Sequence, residues 1–336
     1  MWTEYLRLAR SFNMTLTGLA PVMGALAMGQ HDLVVLCVLF VVGCLGHTYG
    51  FTQNDIVDVS HDRSVKEIAS RPLVKGTISI SHAKSFAYLS LVICLLLAFT
   101  LSLLMHNSGS FVVFLIPVAC VTLYNYISKR YAYADLLLAF GMFCFILWGA
   151  LVQASSFQDV SLLAWVLCFL GAIQVLYMNI VAGGLKDIKH DREKKAQTTA
   201  IHLGVHMNDT ALMISVKFAL VAYVLQVLNI AIAFLPVLLN PIPPSNTLLP
   251  YLQISVLVMT SIGMLVFVYR LLRLKQFERR TVRRLIGFHY YLNFCLAPLL
   301  LLSISLWAVL LLDIPAIGFV VSNLVLHEKL MEPEVM

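Results

Sequence analysis

Apolar residues run along this chain in long stretches, each ended by a short polar or charged segment. A helix needs about 20 such residues to cross the hydrocarbon of a bilayer. Nine stretches approach or exceed that length: 12–29, 33–53, 82–105, 109–127, 134–154, 159–182, 211–236, 249–272 and 289–312. Gln30-His31-Asp32 and His106-Asn107-Ser108 read as tight turns, and Pro236–Pro250 as a neutral, proline-rich surface loop. The expected fold is an all-α integral membrane protein with one domain over 1–312. Residues 313–336 are a tail that turns polar only after His327. Arg7 and Arg10 ahead of a run ending at Ala25-Leu26-Ala27 resemble a cleavable signal. Asn13, Thr15 and Thr17 interrupt that run, so the segment reads as a first, rather polar, span.

Lys and Arg fix the orientation. Of the 23 basic residues, all but Lys217 and Lys329 fall on the face of the N-terminus when nine spans are drawn. Dropping one internal span would scatter them over both faces. The N-terminus and this face are expected to be cytoplasmic. Composition agrees: 60% of the 336 residues are hydrophobic and only 12% charged, too few to cover a water-facing surface. The net charge of +6 is topogenic charge beside anionic lipid and implies no nucleic acid. Seven cysteines lie inside apolar runs without a CxxC pair, which argues against disulfides or thiolate zinc.

Against this background two acidic clusters stand out. The second span runs into Asn54-Asp55-Ile56-Val57-Asp58-Val59-Ser60-His61-Asp62-Arg63, and the sixth into Lys186-Asp187-Ile188-Lys189-His190-Asp191-Arg192. Asp58–Arg63 (DVSHDR) and Asp187–Arg192 (DIKHDR) form a near-repeat at the ends of spans four helices apart. Two related halves, about 12–127 and 134–272, each bring one acidic helix end to a shared site, with 289–312 as a ninth helix. On a continuing helix Asp55, Asp58 and Asp62 share a face, as do Asp187 and Asp191. Like charges so placed call for a cation among them, and hard carboxylates without Cys suit Mg²⁺. His61 and His190 suggest zinc instead, but each points around the helix from its neighbouring Asp. Single carboxylates at span ends are ordinary polar loops; five at helical spacing in matching clusters are not.

These motifs resemble those of the UbiA superfamily of intramembrane prenyltransferases. Asn54–Ser79, NDIVDVSHDRSVKEIASRPLVKGTIS, matches the NDxxDxxxD signature with its Val-Lys, Arg-Pro-Leu and Gly-x-Ile-Ser elements. Asp187–Gly204, DIKHDREKKAQTTAIHLG, is similar to the DxxxD segment, and Tyr124–Arg130 to the Tyr/Lys element after the fourth helix. The resemblance covers roughly 10–310. It implies nine helices around a central cavity that opens to lipid and is capped by two cytoplasmic Asp-rich loops. It also implies ionisation of a prenyl diphosphate and alkylation of a lipophilic acceptor, with two Mg²⁺ bridging the diphosphate. Asp55, Asp58 and Asp62, assisted by Asn54, then hold one Mg²⁺, and Asp187 and Asp191 the other. Asn13, Arg63, Lys66, Arg71, Lys129 and Lys186 bind diphosphate, and Tyr126 steadies the leaving group or the cation. Gln174, Tyr177 and Asn179 either line the cavity or satisfy one another between helices. The pattern departs from the family at His61, at His190 and in the charged run Arg192-Glu193-Lys194-Lys195.

The Val-Lys and Arg-Pro-Leu flanks favour an aromatic quinone precursor such as a hydroxybenzoate as acceptor. A glycerophosphate ether-lipid precursor and internal quenching by a terpene cyclase are the alternatives. A CDP-alcohol phosphotransferase has one continuous Asp signature with Asp-Gly and Ala-Arg, absent here. A secondary transporter places its carboxylates mid-span in broken helices, whereas these stand at span ends.

Overall fold

The computed structural model describes residues 2–63, 69–208, 211–239, 249–302, 304 and 310–327. It is almost wholly helical, with a two-stranded hairpin the sequence reading did not foresee. The helices are α1 (Trp2–Leu8), α2 (Met14–Ala27), α3 (Leu33–Asp62), α4 (Pro72–Lys75), α5 (Ile80–Leu104), α6 (Gly109–Ile127), α7 (Asp135–Gln153) and α8 (Leu162–Leu176). They continue with α9 (Gly184–Lys186), α10 (Ile188–Glu193), α11 (Thr199–His202), α12 (Val216–Leu239), α13 (Leu249–Leu272), α14 (Arg279–Leu301) and α15 (Leu310–His327). A 3₁₀ turn, Ser11–Asn13, precedes α2, and a π-helical stretch, Tyr177–Gly183, joins α8 to α9. Strands β1 (His206–Asn208) and β2 (Ala211–Met213) pair antiparallel.

Seven described segments are long and apolar enough to cross a membrane: Leu33–Ser60, Ile80–Leu104, Gly109–Ile127, Asp135–Gln153, Leu162–Lys186, Val216–Leu239 and Leu249–Leu272. The protein is therefore an integral membrane protein. Four expected boundaries move. The first span shortens to the 14 residues of α2, because a left-handed Arg10 (φ 48°, ψ 51°) and the 3₁₀ turn break the helix before it. Residues 211–213 are strand, so the seventh long helix starts only at Val216. The ninth begins ten residues early, because the basic run from Arg279 to Arg284 opens α14 rather than forming loop. Part of the tail is a further helix, α15.

Packing divides the chain into two units, Met1–Tyr126 with Cys144–Val160 and Leu310–Met336, and Ile127–Phe143 with Ser161–Val309. In the first, α2 lies against α3, and α3 against α5. The contact is close because small residues face each other: a Cβ on Gly43 would sit 2.6 Å from the Gly18 Cα. Leu8, Leu73, Ile78 and Ala83 form a satellite core under α1. In the second, Tyr177, Val181, Leu185, Ile188, Phe218, Val268, Val282 and Ile286 are buried together. The loop before α14 joins the hairpin, with the Leu212 N–H donating to the Lys275 carbonyl at 3.0 Å. Faces not packed in either unit carry apolar side chains such as Leu89, Leu96, Leu104, Leu220 and Met259, as lipid contact requires.

Candidate active site

The 30 residues of α3 span about 45 Å at 1.5 Å per residue, more than the hydrocarbon is thick. The helix therefore runs nine residues past the expected end of the span and carries Asn54, Asp55, Asp58 and Asp62 onward without a break, the condition under which their spacing puts the three acids on one face. Asp55 is 3% exposed, in contact with the guanidinium groups of Arg10 (2.6 Å) and Arg71 (3.6 Å). Arg71 also donates to Asp62 at 2.6 Å. It stands just before α4, whose Pro72 and left-handed Gly76 make a tight turn that returns the chain to α3. Two carboxylates of the first cluster thus share one bridging arginine. The Asn54 amide reaches Asn125 on α6 at 3.4 Å, and Asn125 donates to Gln53 and to the Gly50 carbonyl. Asp58 and Asn13 are half-buried and Arg63 is exposed. Tyr126 is 52% exposed. Lys66 and the side chain of His61 lie outside the described residues.

The second cluster is built differently. The π-helical stretch gives way to α9, and Asp187 (φ −103°, ψ 4°) occupies the junction between α9 and α10 rather than a continuing helix. The i, i+4 relation survives, since the Asp191 N–H donates to the Asp187 carbonyl at 2.9 Å. Gly184 permits the tight packing here: a Cβ would lie 2.5 Å from that of Ala200. Buried Asp191 accepts from Lys129 at 2.8 Å. Asp187 lies 3.5 Å from Lys186 and 3.7 Å from Arg279. The segment after α10 is moored to the chain around Lys129. The Gln197 N–H donates to the Lys129 carbonyl at 3.0 Å, and Thr199 donates to Asp135 at 2.6 Å and accepts from the Tyr133 N–H. Burial, helped by Lys194, holds the His190 imidazole below its usual pKa range against the raising effect of Asp191, Glu193 and Asp187. Asn179 donates to the Val175 carbonyl at 2.8 Å, whereas Tyr177 stacks on His289 at 4.1 Å with its buried hydroxyl lacking a hydrogen bond, so the two do not satisfy each other.

Sequence reading missed two members of these clusters. Arg10 and Arg279 looked topogenic, yet each reaches a carboxylate. For Arg10 the signal lay in His47, whose Nε2 contacts the Arg10 carbonyl at 3.3 Å while Nδ1 pairs with Thr17 at 2.9 Å. Phe51, one turn on, lies under the guanidinium at 5.1 Å. A histidine and an aromatic one turn apart, just before the acids, mark a helix face built to receive a cation.

Among the described residues no three His, Cys, Asp or Glu side chains form a ready-made metal cage. Mg²⁺ needs none, since it usually takes one or two carboxylates and fills its shell with water and phosphate oxygens. The donors are hard oxygens, and Asp55 Oδ2 is buried without a hydrogen bond. These residues fit such an ion.

Carboxylates thus stand at the ends of two membrane spans, the first set paired with Arg10 and Arg71 and the second with Lys129, Lys186 and Arg279, in an integral membrane protein. The model of the UbiA prenyltransferase family matches residues 14–292, and the chain belongs to that family; it is a prenyltransferase. It is 25% identical over 206 residues to the digeranylgeranylglyceryl phosphate synthase of Saccharolobus solfataricus, covering 60% of this chain and 70% of the relative. It is 26% identical over 193 residues to the 4-hydroxybenzoate octaprenyltransferase of Francisella tularensis subsp. novicida, covering 55% of this chain but only 63% of that enzyme. A UbiA homolog from Archaeoglobus fulgidus, solved with geranyl diphosphate (GPP) and Mg²⁺, shares the fold with a TM-score of 0.59 and 14% identity, over 88% of this chain and 99% of that one.

Proposed function

We propose that this protein transfers the prenyl group of a prenyl diphosphate to a lipophilic acceptor, with Mg²⁺ held by Asp55, Asp58, Asp62, Asp187 and Asp191. The observation that carries this reading is the first cluster: buried Asp55, with one oxygen on two arginines and the other unbonded, at the end of a membrane-crossing helix. Bound there, Mg²⁺ would neutralise the departing diphosphate and ease cleavage of the allylic C–O bond. Two ions fit two clusters. Asn54 orients the first cluster through Asn125. Asn13, Arg63, Lys66, Arg71, Lys129 and Lys186, joined by Arg10 and Arg279, balance the charge that remains. Tyr126 steadies the leaving group or the allylic cation. Walls of apolar side chains keep water from that cation, and they receive a prenyl tail at about 0.8 kcal/mol per buried CH₂.

We infer that α2 and α14 also cross the bilayer, giving nine spans around a cavity with the N-terminus and both acid clusters cytoplasmic. Charge placement supports this. The acceptor we favour is an aromatic quinone precursor such as a hydroxybenzoate. A glycerophosphate ether-lipid precursor is the second reading, favoured by the archaeal relative, of which the chain covers the larger share. The test is incubation of detergent-purified protein with labelled geranyl, farnesyl or geranylgeranyl diphosphate, with Mg²⁺ or EDTA. Each donor is offered 4-hydroxybenzoate or geranylgeranylglyceryl phosphate. Mg²⁺-dependent diphosphate release with one prenylated product is expected, and that product identifies the acceptor. Release without transfer to any acceptor would favour a cyclase, and no release from any donor would refute the assignment.

A further inference from the structure

Helix α15 lies beyond the stretch matched by the family model, which ends at residue 292, and α1 and Arg10 lie before its start at residue 14. Within their unit these outlying segments contact each other and the first acid cluster. Ser322 and Ser11 share a hydrogen bond at 2.8 Å. One turn away on both segments, a Cβ on Gly318 would stand 2.6 Å from Thr15 Cγ2 and 2.8 Å from its Oγ1. The two small-residue pairs run antiparallel, Ser11 to Ser322 and Thr15 to Gly318, so the backbones meet closely at two points. At the far end of α15 the Arg7 guanidinium donates to the Leu326 carbonyl, through Nε at 3.1 Å and also through Nη2. That carbonyl is among the last four of the helix, which have no partner of their own. Arg7 also holds Glu4 at 2.6 Å, and Glu4 accepts from Thr77, just past α4. Tyr5 sets its ring against Phe86 at 5.0 Å. Burial alone would raise the Glu4 carboxyl, but the Thr77 hydroxyl and Arg7 outweigh it and hold the group below its usual range.

Arg10 lies between these anchors. Its left-handed backbone is one that a non-glycine residue keeps only when its surroundings impose it. The surroundings are α1 on one side, pinned to α15 and Thr77, and the Ser11–Thr15 segment on the other, pinned to α15 and, through Thr17, to His47. Outward from this bend the guanidinium spans to Asp55. We infer that α15 is a brace that positions Arg10 on the first acid cluster, with Gly318 and Ser322 as its positioning residues. Arg10 contacts Asp55 directly; α15 acts only through it. The inference rests on the prenyltransferase reading for its kinetic consequence, but not for its geometry.

The experiment uses the full-length protein with Gly318→Ala, Arg10→Ala, both together, and Thr15→Ala/Gly318→Ala, which removes the two Thr15 atoms nearest the added methyl. Arg10 is proposed to help balance the diphosphate, and losing one charge-assisted contact to a ligand weakens binding roughly tenfold. Arg10→Ala is expected to raise KM for geranyl diphosphate by about that factor. Gly318→Ala raises it several-fold with kcat within about twofold, the Thr15 partner restores it, and Gly318→Ala adds nothing once Arg10 is Ala. A second readout needs no activity. Trypsin cleavage after Arg7 and Arg10, followed by mass spectrometry, is faster in Gly318→Ala and returns to the wild-type rate in the size swap. Unchanged KM and cleavage in Gly318→Ala would overturn the brace. So would an equal rise in KM with or without Arg10, because α15 would then act by another route. If wild-type protein turns over no prenyl diphosphate, the functional reading fails while the cleavage rates still decide on the brace.

Discussion

Replacing Asp55 by Asn is expected to lower kcat/KM for the prenyl diphosphate about 10³-fold, or about 4 kcal/mol of transition-state stabilisation. Asn keeps the shape and can still accept from Arg10 at 2.6 Å, so the packing of this 3%-exposed position survives. What disappears is the charge, and with it the affinity of Oδ2 for a hard divalent cation. Asp187→Asn is expected to cost a similar factor, although Asp187 is held differently, at a helix junction beside Lys186 and Arg279. Titration with Mg²⁺ separates a metal role from a structural one. A metal ligand shifts the half-saturating Mg²⁺ concentration upward at an unchanged melting temperature, whereas a residue needed only for packing lowers the melting temperature. Two folded variants with wild-type turnover and Mg²⁺ response would refute metal binding by these carboxylates. Lys129→Met, which strips Asp191 of its 2.8 Å partner, is expected to act more mildly, because Lys129 is 42% exposed and solvent screens it.

The carboxylates of the first cluster were legible because their arrangement is local. Intervals of three and four residues place Asp55, Asp58 and Asp62 on one face of any helix that continues, and α3 continues. The second cluster was legible as a repeat of the first, but its backbone was not: no spacing rule announces a π-helical stretch, and Asp187 ends up at a junction. Arg10 and Arg279 were hidden for a different reason. A basic residue at a span end has a sufficient topogenic explanation, and only contacts across 45 residues, to Asp55, or 92, to Asp187, give it another role. The same bias misplaced α14, whose Arg279, Arg280, Arg283 and Arg284 looked like loop and open a helix. Charge patterning says which face of the membrane a residue occupies. It does not say whether the backbone there is coiled or helical.

Alanine at Gly149 is expected to destabilise the protein by about 3 kcal/mol, near or beyond the usual range for overpacking. The size of the effect follows from what the new methyl group meets. It would lie 2.6 Å from the carbonyl carbon and 2.7 Å from the Cα of Pro21, and it would overlap the Pro21 carbonyl oxygen. Gly24 makes the reciprocal approach: a Cβ added there would overlap the Ile146 carbonyl and stand 3.0 Å from the Ala150 nitrogen. Every obstacle named is backbone, so no side-chain rotation relieves the clash and the α2 and α7 axes must separate. Membrane helices without a hydrophobic drive toward each other depend on this kind of contact, and α2, only 14 residues long and 10 of them buried, is seated by such close approaches on α7 here and on α3 at Gly18. The displacement reaches the site as well, because α2 begins at Met14, just after Asn13, and carries Thr17, the partner of His47 behind Arg10. Gly287→Ala is the control. Nothing lies within 4 Å of its added methyl, and alanine in a helix interior is favoured over glycine by up to about 1 kcal/mol, so its melting temperature should hold or rise. A Gly149→Ala protein that melts with the wild type would mean that the α2–α7 crossing is looser than this geometry. One that melts lower and also loses affinity for prenyl diphosphate would tie the seating of α2 to the first acid cluster.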